Sequence, residues 1–535
     1  MPKFAYLGPK QGSEALRWGE ALLASPPRIV AVDIETVSLD DRRLLGIGIA
    51  ATPDEAIYVP IMPMSDHAAD LFVNIISNPG ITKIYHNALY DLPVLDDFGA
   101  DATNVMDTAI MAALLGVPRK LKNLAAELCN VQIQEISDIL PKGKSMLDLD
   151  YEVVSTKCCN DVMATMMVFH KMSEYVDQSY LAREMQLIPI LTRMSKRGIR
   201  LDQAKRMEFE QQLQAEKTYL KALSQSYGFN PGSPKQVAFI LSDRGCLLPP
   251  KNSNWSALGT GEEILLGLSD PLAGLVLAYR KVAKLLGTYI TPYAGCDRAY
   301  TRFHMFTDTG RLASTDRNLQ NVPPEIRSMF LPDHGPWVTA DYSQQELRTL
   351  AYMSNDTAMQ EIFNLGKDIH SETAAFMGIP RRTAKNVTFA MVYGATPETV
   401  MSTAKIQSKA KAVELQRSWS ARFPQAFAWI MDIQTYGLKH RKVQTLGGRW
   451  LYLPWPAEEN DAAVIRKACN YPIQGSAAEI TKAAMLRCSD LDMMLQVHDA
   501  LEFDGVDGDE ILSRGLDSVS PVLTPMKIEK GKCWK

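Results

Sequence analysis

The chain has 535 residues, 46% of them hydrophobic and 22% charged, with a formal charge of −4 and eight cysteines that form no CxxC pair. This is ordinary globular composition, and it excludes a mostly disordered or fibrous chain, a zinc ribbon and a CxxC redox motif. At roughly 100–200 residues per domain, about three or four packing units are expected. No apolar run approaches the roughly 18 residues of a membrane span, and the first twenty residues lack the basic start and apolar stretch of a signal peptide. Scattered cysteines point to reduced thiols in a cytoplasm. The acidic balance counts mildly against a nucleic-acid binder, although carboxylates gathered around metals would lower the net charge.

In chain order, Arg28–Glu35 is a short apolar run of the kind that makes a buried strand. Leu44–Ala50 and Ala56–Pro60 read as two further strands, with turn signals at Asp40-Asp41 and Thr52-Pro53-Asp54. Asp66–Ser77 has helical spacing, Lys83–Asn87 suits a fourth strand, and Asp107 to Val176 is largely helical. Alternation along a strand puts Asp33 and Glu35 on one side. Asp91 follows Asn87 at i+4, and Asp161 stands early in an apolar helix, Asp161–Met172, where an unpaired acid would be costly. A lone DxE is a weak signal and by itself reads first as a strand end with solvated acids. Four acids on apolar elements read as sharing divalent cations. Two Mg²⁺ ions about 3.5–4 Å apart can activate a water and stabilise the leaving oxygen in phosphodiester hydrolysis.

The middle, from about Ala182 to Leu285, is rich in helix formers, with a long amphipathic stretch over Glu208–Tyr227. Further on, Trp337–Ala340, Leu495–Val497 and Leu501–Phe503 read as short strands flanking another helical block. The absence of a GxxxxGK[ST] loop argues against a motor ATPase. Asp341 closes the first of these strands, and Asp499 lies at a hairpin-like turn between the other two. Either alone is an ordinary turn or strand-end acid. Between them, Arg381, Lys385, Phe389 and Tyr393 fall at i, i+4, i+8 and i+12. Each step drifts only about 40° round a helix, so they form one stripe about 18 Å long, basic at one end and aromatic at the other. Such a stripe reads as a solvated basic end with a buried aromatic end, or as a ruler for a nucleoside triphosphate. Arg466, Asn470 and Gln474 repeat the spacing with side chains suited to template or primer edges. Basic clusters at Lys196–Arg200, Arg280 to Lys284 and Lys439–Lys442 read as solvated faces or phosphate contacts.

In its first third the chain resembles the proofreading 3′–5′ exonuclease domain of family A (DNA polymerase I-like) enzymes. Their DxE motif matches Asp33 and Glu35, their NxxxD motif matches Asn87 and Asp91, and the aspartate of their YxxxD motif matches Asp161. Lys157 stands where the tyrosine would, and Thr156 where a histidine-type variant would carry its histidine. Family A polymerases are resembled again downstream. Asp341-Tyr-Ser-Gln-Gln-Glu-Leu-Arg348 is similar to their motif A, Arg381 through Gly394 to motif B, and Gln496-Val-His-Asp499 to motif C. Thr309 through Pro323, Lys367-Asp-Ile-His370, Thr445 through Pro454 and Asn470-Tyr-Pro-Ile-Gln-Gly475 match further family stretches. One departure is Ala500, where the family usually has Glu after His-Asp.

The resemblance implies an α/β (α+β) chain: an RNase H-like exonuclease domain over 1–180, followed by a right-hand polymerase. Its thumb and the start of its palm would span 181–300, palm with motif A 301–354, fingers with motif B 355–465, and palm with motif C 466–535. It implies template-directed addition of dNTPs to a primer 3′ end, with 3′–5′ proofreading. Asp341 and Asp499, with Tyr342 beside them, would hold two Mg²⁺, for which Mn²⁺ can substitute. Asp33, Glu35, Asp91 and Asp161 would hold the metals of the exonuclease site. Arg381, Lys385, His370 and Gln344 would bind the incoming nucleotide with Phe389 and Tyr393. Glu346, with Tyr393, would exclude a 2′-hydroxyl. Arg311, Gln474 and His498 would test the primer terminus in the minor groove, where correct pairs present equivalent acceptors. Asn318, Gln320, Asn321, Arg466 and Asn470 complete the expected DNA contacts, with Arg280 and Lys284 on duplex phosphate and Asn87 on the single-stranded 3′ end. Lys157, which when charged offers donors but no acceptor, is expected to slow proofreading, and Lys157→Tyr to speed it. With no 5′-nuclease segment ahead of it, the chain fits a monomeric phage replicative enzyme in its host's cytoplasm, needing no membrane. Two rivals are an exonuclease whose polymerase half has degenerated and a non-catalytic DNA clamp. Retention of Asp341, Asp499, Arg381, Lys385 and Tyr393 argues against the first, and retention of both acid sets argues against the second.

Overall fold

The computed structural model describes residues 3–6, 12–61, 66–251, 258–305, 307–406, 408–454 and 460–535. The apolar run beginning at Ile29 forms the centre of a mixed sheet. Its strands are β1 (Lys3–Tyr6), β2 (Ile29–Thr36), β3 (Leu44–Thr52), β4 (Glu55–Pro60), β5 (Thr82–Tyr85) and β6 (Val105–Asp107), in the order β1-β4-β3-β2-β5-β6. β2 runs antiparallel to β3 and parallel to β5. Val30, Ala31, Val32 and Ile34 are all buried, as a strand covered on both faces requires. The fourth expected strand stops at Tyr85, because Asn87 takes a left-handed conformation (φ 77°) and opens helix α1 (Ala88–Asp97). α2 (Thr108–Leu115) follows β6.

Asp161 does not stand near a helix start. It lies in the middle of α3 (Tyr151–Ser173), which begins ten residues earlier. Glu152 and Lys157 interrupt the apolar run there, yet Val154, Cys158 and Cys159 are buried and carry the helix onto the sheet. The approach is close: a Cβ on Gly48 of β3 would meet Cys158 Sγ at 2.6 Å, so glycine is required there.

The chain continues through α4 (Gln178–Arg197) and α5 (Gln203–Ser226), whose N-cap Asp202 accepts from Lys205 N, and then α6 (Pro271–Lys284). β7 (Trp337–Tyr342) leads to α7 (Gln345–Met353), α8 (Ile369–Met377), α9 (Arg381–Val392) and the long α10 (Asp461–Arg487). β8 (Met493–Val497), β9 (Ala500–Asp504) and β10 (Met526–Gly531) complete an antiparallel sheet of order β8-β9-β7-β10. β10 was not among the expected strands, although Met526 and Ile528 alternate with Lys527 and Glu529 as an edge strand should. The expected divisions at 180/181 and 465/466 fall inside α4 and α10.

One apolar core runs from Val32 and Ile34 of the first sheet, past Ile188 and Leu191 of α4, to Val338 and Leu501 of the second. A separate core joins Leu350 of α7, Val387 and Val392 of α9, and Trp419. A buried ion pair, Lys482 Nζ to Glu184 Oε2 at 2.6 Å, ties α10 to α4.

Candidate active sites

Two clusters of acids stand on the two sheets. In the second sheet, Asp341 is the penultimate residue of β7, with Ala500 opposite it on β9 and Lys527 opposite it on β10. Asp499 occupies the turn between β8 and β9, and its carbonyl accepts from Tyr342 N at 3.2 Å. His498 makes that turn in a left-handed conformation (φ 56°) and is exposed. Gln320 buttresses it from below: its Nε2 donates to Gln496 Oε1 at 2.8 Å, and Gln496 Nε2 donates to His498 O at 2.6 Å. Burial pushes the Asp341 carboxyl up to about 6, with Asp499, Glu502 and Glu529 adding to the rise and Lys527 opposing it. Asp499 is raised by burial as well. Two half-buried acids, both raised mainly by burial and neither in an ion pair among the described residues, form a donor set suited to hard divalent ions. Tyr342 does not share in this through its side chain. Alternation turns it to the opposite face, where its hydroxyl donates to Leu516 O at 2.7 Å.

The expected stripe lies on α9, with Tyr393 at its C-cap. Arg381 and Lys385 are exposed, and Phe389 and Tyr393 are half-buried. Arg381 makes a bidentate pair with Asp368, at 2.9 Å for each bond, and holds that carboxyl far below its usual range. His370 is buried beside Phe389 (ring centroids 5.7 Å) with no partner at Nδ1 among the described residues, and burial lowers it to about 4. Tyr393 donates its hydroxyl to Glu346 Oε2 at 2.6 Å, and Arg311 pairs with the other oxygen of Glu346. Gln344 caps α7 in a left-handed conformation (φ 55°), its buried Oε1 without a partner among the described residues.

Several expected DNA contacts are otherwise engaged. Gln320 is buried on Gln496 and faces no solvent. Arg280 reaches Thr260, donating to its carbonyl and, at 3.2 Å, to its hydroxyl, while Lys284 stays exposed. Asn318 Oδ1 accepts from Ser314 Oγ at 2.8 Å. Asn321 is exposed, as is Arg466 at the head of the α10 ladder, with Asn470 and Gln474 half-buried further along.

In the first sheet, Asp33 and Glu35 face α3, which carries Lys157 and Asp161 one turn apart. Lys157 Nζ donates to Glu35 Oε1 and to Asp161 Oδ2, each at 2.8 Å. Burial lifts Asp33 to about 8 against the opposing charge of Lys157, and it raises Glu35 and Asp161 in the same way. Burial works against the lysine's charge, but Glu35, Asp161 and Asp33 outweigh it and hold its pKa well above the ordinary value. Asp91 on α1 is raised well above the usual range by burial and then by Asp33 and Asp107. The four expected acids therefore share one buried field. Asn87 offers no side-chain cap to α1; Asp107 pins that helix start, accepting from Asn87 N at 3.3 Å and Ala88 N at 2.7 Å.

Sequence reasoning missed Asp107, Glu502 and Cys158. Glu502 is buried on Trp337 Nε1 and Thr339 Oγ1, 2.6 Å from each, and its alternation with Ala500 on one strand was the available signal. Cys158 Sγ lies 3.6 Å from Asp33 Oδ2. Burial and the nearby acids push its thiol well above its usual value, so it stays neutral.

These two sites, on two sheets of one chain, place it in a class. Residues 200–512 match DNA polymerase family A and residues 8–177 match a 3′-5′ exonuclease family, and the chain belongs to DNA polymerase family A. It is 32% identical to DNA polymerase I of Chloroflexus aurantiacus, over 88% of this chain and 56% of that protein. It is 29% identical to DNA polymerase I of Pseudomonas aeruginosa, over 94% of this chain and 63% of that one. The chain thus spans between half and two thirds of the length of these curated relatives. Its fold matches a solved structure titled as the POL domain of Pol1 from M. smegmatis in complex with DNA primer-template and dNTP. That match has a TM-score of 0.84 at 24% identity and covers 99% of each chain. No helix among the described residues is long and apolar enough to cross a membrane.

Proposed function

We propose that the chain is a template-directed DNA polymerase that extends a primer with dNTPs and trims it with a 3′–5′ exonuclease site. The observation that carries this reading is the meeting of Asp341 and Asp499 at one end of the second sheet, each raised by burial and neither in an ion pair among the described residues. The proposed division is exonuclease 1–180, thumb and first palm 181–300, palm 301–354, fingers 355–465 and palm 466–535. The two aspartates would hold two Mg²⁺, or Mn²⁺, which lower the pKa of the primer 3′-hydroxyl and neutralise the triphosphate and the leaving pyrophosphate. Arg381, Lys385 and His370 bind the phosphates; Arg381 exchanges Asp368 for them, which its exposed position allows. Phe389 and Tyr393 lie against base and sugar. The hydrogen bond from Tyr393 fixes Glu346 where a 2′-hydroxyl would fall. Arg311, Gln474 and His498 address the primer terminus, and Arg466, Asn470, Asn321 and Lys284 address the rest of the DNA. At the exonuclease site, Asp33, Glu35, Asp91 and Asp161 would hold the divalent charge that promotes cleavage of the 3′-terminal phosphodiester, and Asn87 would face that strand end. Tyr90, flanked by the guanidinium groups of Arg42 and Arg302 at 5.5 and 5.4 Å, gives the site a cationic rim suited to single-stranded DNA. The chain would work as a monomer in the cytoplasm. The relatives named above are bacterial, so the phage origin expected from the sequence gains no support from them.

The test is extension of a labelled primer on a template with Mg²⁺ and four dNTPs. Extension in template order supports the reading, and its absence with intact protein refutes it.

Two substitutions probe the nucleotide site. Phe389→Tyr is expected to raise dideoxynucleotide incorporation by about 10- to 100-fold, the worth of one hydrogen bond to a charged group, because a tyrosine hydroxyl can stand in for the missing 3′-hydroxyl. Chain-termination ladders that match those of the unaltered protein would refute this. Glu346→Ala is expected to raise ribonucleotide use relative to deoxynucleotide by about 10²-fold. The readout is the ratio of single-nucleotide insertion efficiencies, and an unchanged ratio counts against the assigned role.

A further inference from the structure

The cluster on the first sheet already contains a cation. Lys157 Nζ lies 2.8 Å from Glu35 Oε1 and 2.8 Å from Asp161 Oδ2. The lysine side chain is 12% exposed, and the two carboxylates are 7% and 16% exposed. Surface ion pairs exchange freely with water; an enclosed pair held from two sides does not, and withdrawing its cation leaves two buried acids facing each other. The position is set by the helix. α3 runs from Tyr151 to Ser173, with Lys157 one turn before Asp161 on the same face, and that face looks onto β2.

A Mg²⁺ shared by Glu35 and Asp161 would need their oxygens at about 2.0–2.1 Å, in the gap that the nitrogen fills. The other end of the cluster is different. Among the described residues, Asp33 makes no ion pair with Lys157, and ligand atoms of Asp33, Glu35 and Cys158 lie within 4.8 Å of one another. Asp91 is raised by burial and then by the charges of Asp33 and Asp107. Glu35 and Asp161 therefore touch the ammonium directly, whereas Asp33 feels its charge without contact.

We propose that Lys157 is a built-in cation: it fills the Glu35–Asp161 end of the exonuclease-type site, which then takes one divalent ion, at Asp33, in place of two. This rests on reading the cluster as a phosphodiester-cleaving site. The ammonium brings one positive charge and three N–H donors to a bound phosphate, but it does not acidify a water as a divalent ion does. It also neutralises part of the buried acid charge before any metal arrives.

The test counts ions directly. Mn²⁺ binding is followed by electron paramagnetic resonance on the full chain carrying Asp341→Ala and Asp499→Ala, which removes the acids of the second sheet. The expected result is one tightly bound Mn²⁺ that disappears on further Asp33→Ala substitution. Lys157→Met, which keeps the length and removes the charge, is expected to bind two, with the spectrum of a spin-coupled pair. Lys157→Arg is expected to keep one. Two ions with Lys157 in place would overturn the proposal, as would a single ion in Lys157→Met. The count with Lys157 present decides the matter even if the Met variant does not fold. Loss of every Asp33-dependent ion would be a different failure, removing the cleavage-site reading along with the proposal.

Discussion

Replacing Asp341 by Ala is expected to lower primer extension by about 10³-fold, because a metal clamp on the reacting phosphate supplies several kcal/mol and each 1.36 kcal/mol is tenfold. The fold should survive the change. Burial raises the Asp341 carboxyl to about 6, so the native chain holds its proton more tightly than the unfolded chain does. Stability contributed at this position is therefore present at low pH and is lost as pH rises from about 4 through about 6. Alanine removes that loss, and the melting temperature at pH 8 without divalent ions should be unchanged or higher. A variant that melts earlier and extends normally would contradict both halves of the expectation.

The second large effect is a separation. Asp33→Ala together with Glu35→Ala is expected to abolish 3′–5′ degradation of single-stranded DNA, while extension stays within about twofold, as independent sites require. The acids involved stand on β2, in a different sheet from Asp341 and Asp499. The double change also strips Lys157 of one partner and leaves Asp161 to hold it alone, so some loss of stability should accompany the loss of cleavage. A parallel loss of extension would sink the assignment of two independent sites.

What could be read beforehand was whatever repeats along a strand or a helix. Asp33 and Glu35 at i, i+2, the α9 stripe of Arg381, Lys385, Phe389 and Tyr393, and the α10 ladder all lie on the elements their spacing implied. Long-range pairings left no such trace. Nothing local shows that Arg311 would meet Glu346, that Gln320 would lie buried under the Asp499 turn, or that Arg280 would bind Thr260. The start of α3 was hidden because polar Glu152 and Lys157 break the apolar pattern. Burial there is decided by the sheet it lies on, not by composition. Lys157 itself was visible as a departure from a motif, but its grip on Glu35, 122 residues away in the chain, was not.

The buried Lys482–Glu184 pair has a consequence for how the two sites could cooperate. It pins α10, which carries Arg466, Asn470 and Gln474, to α4, which packs on α1 and β6 of the first sheet, and a continuous apolar core runs through the same joint. Opening that joint would strand a buried charge, at about 3–5 kcal/mol, before any apolar surface was exposed. The joint is a girder and not a hinge. On the proposed reading, a mismatched primer end has to do the travelling: its last base pairs must open so that the strand crosses a fixed gap. The choice between extending and trimming would then follow how readily the duplex end melts.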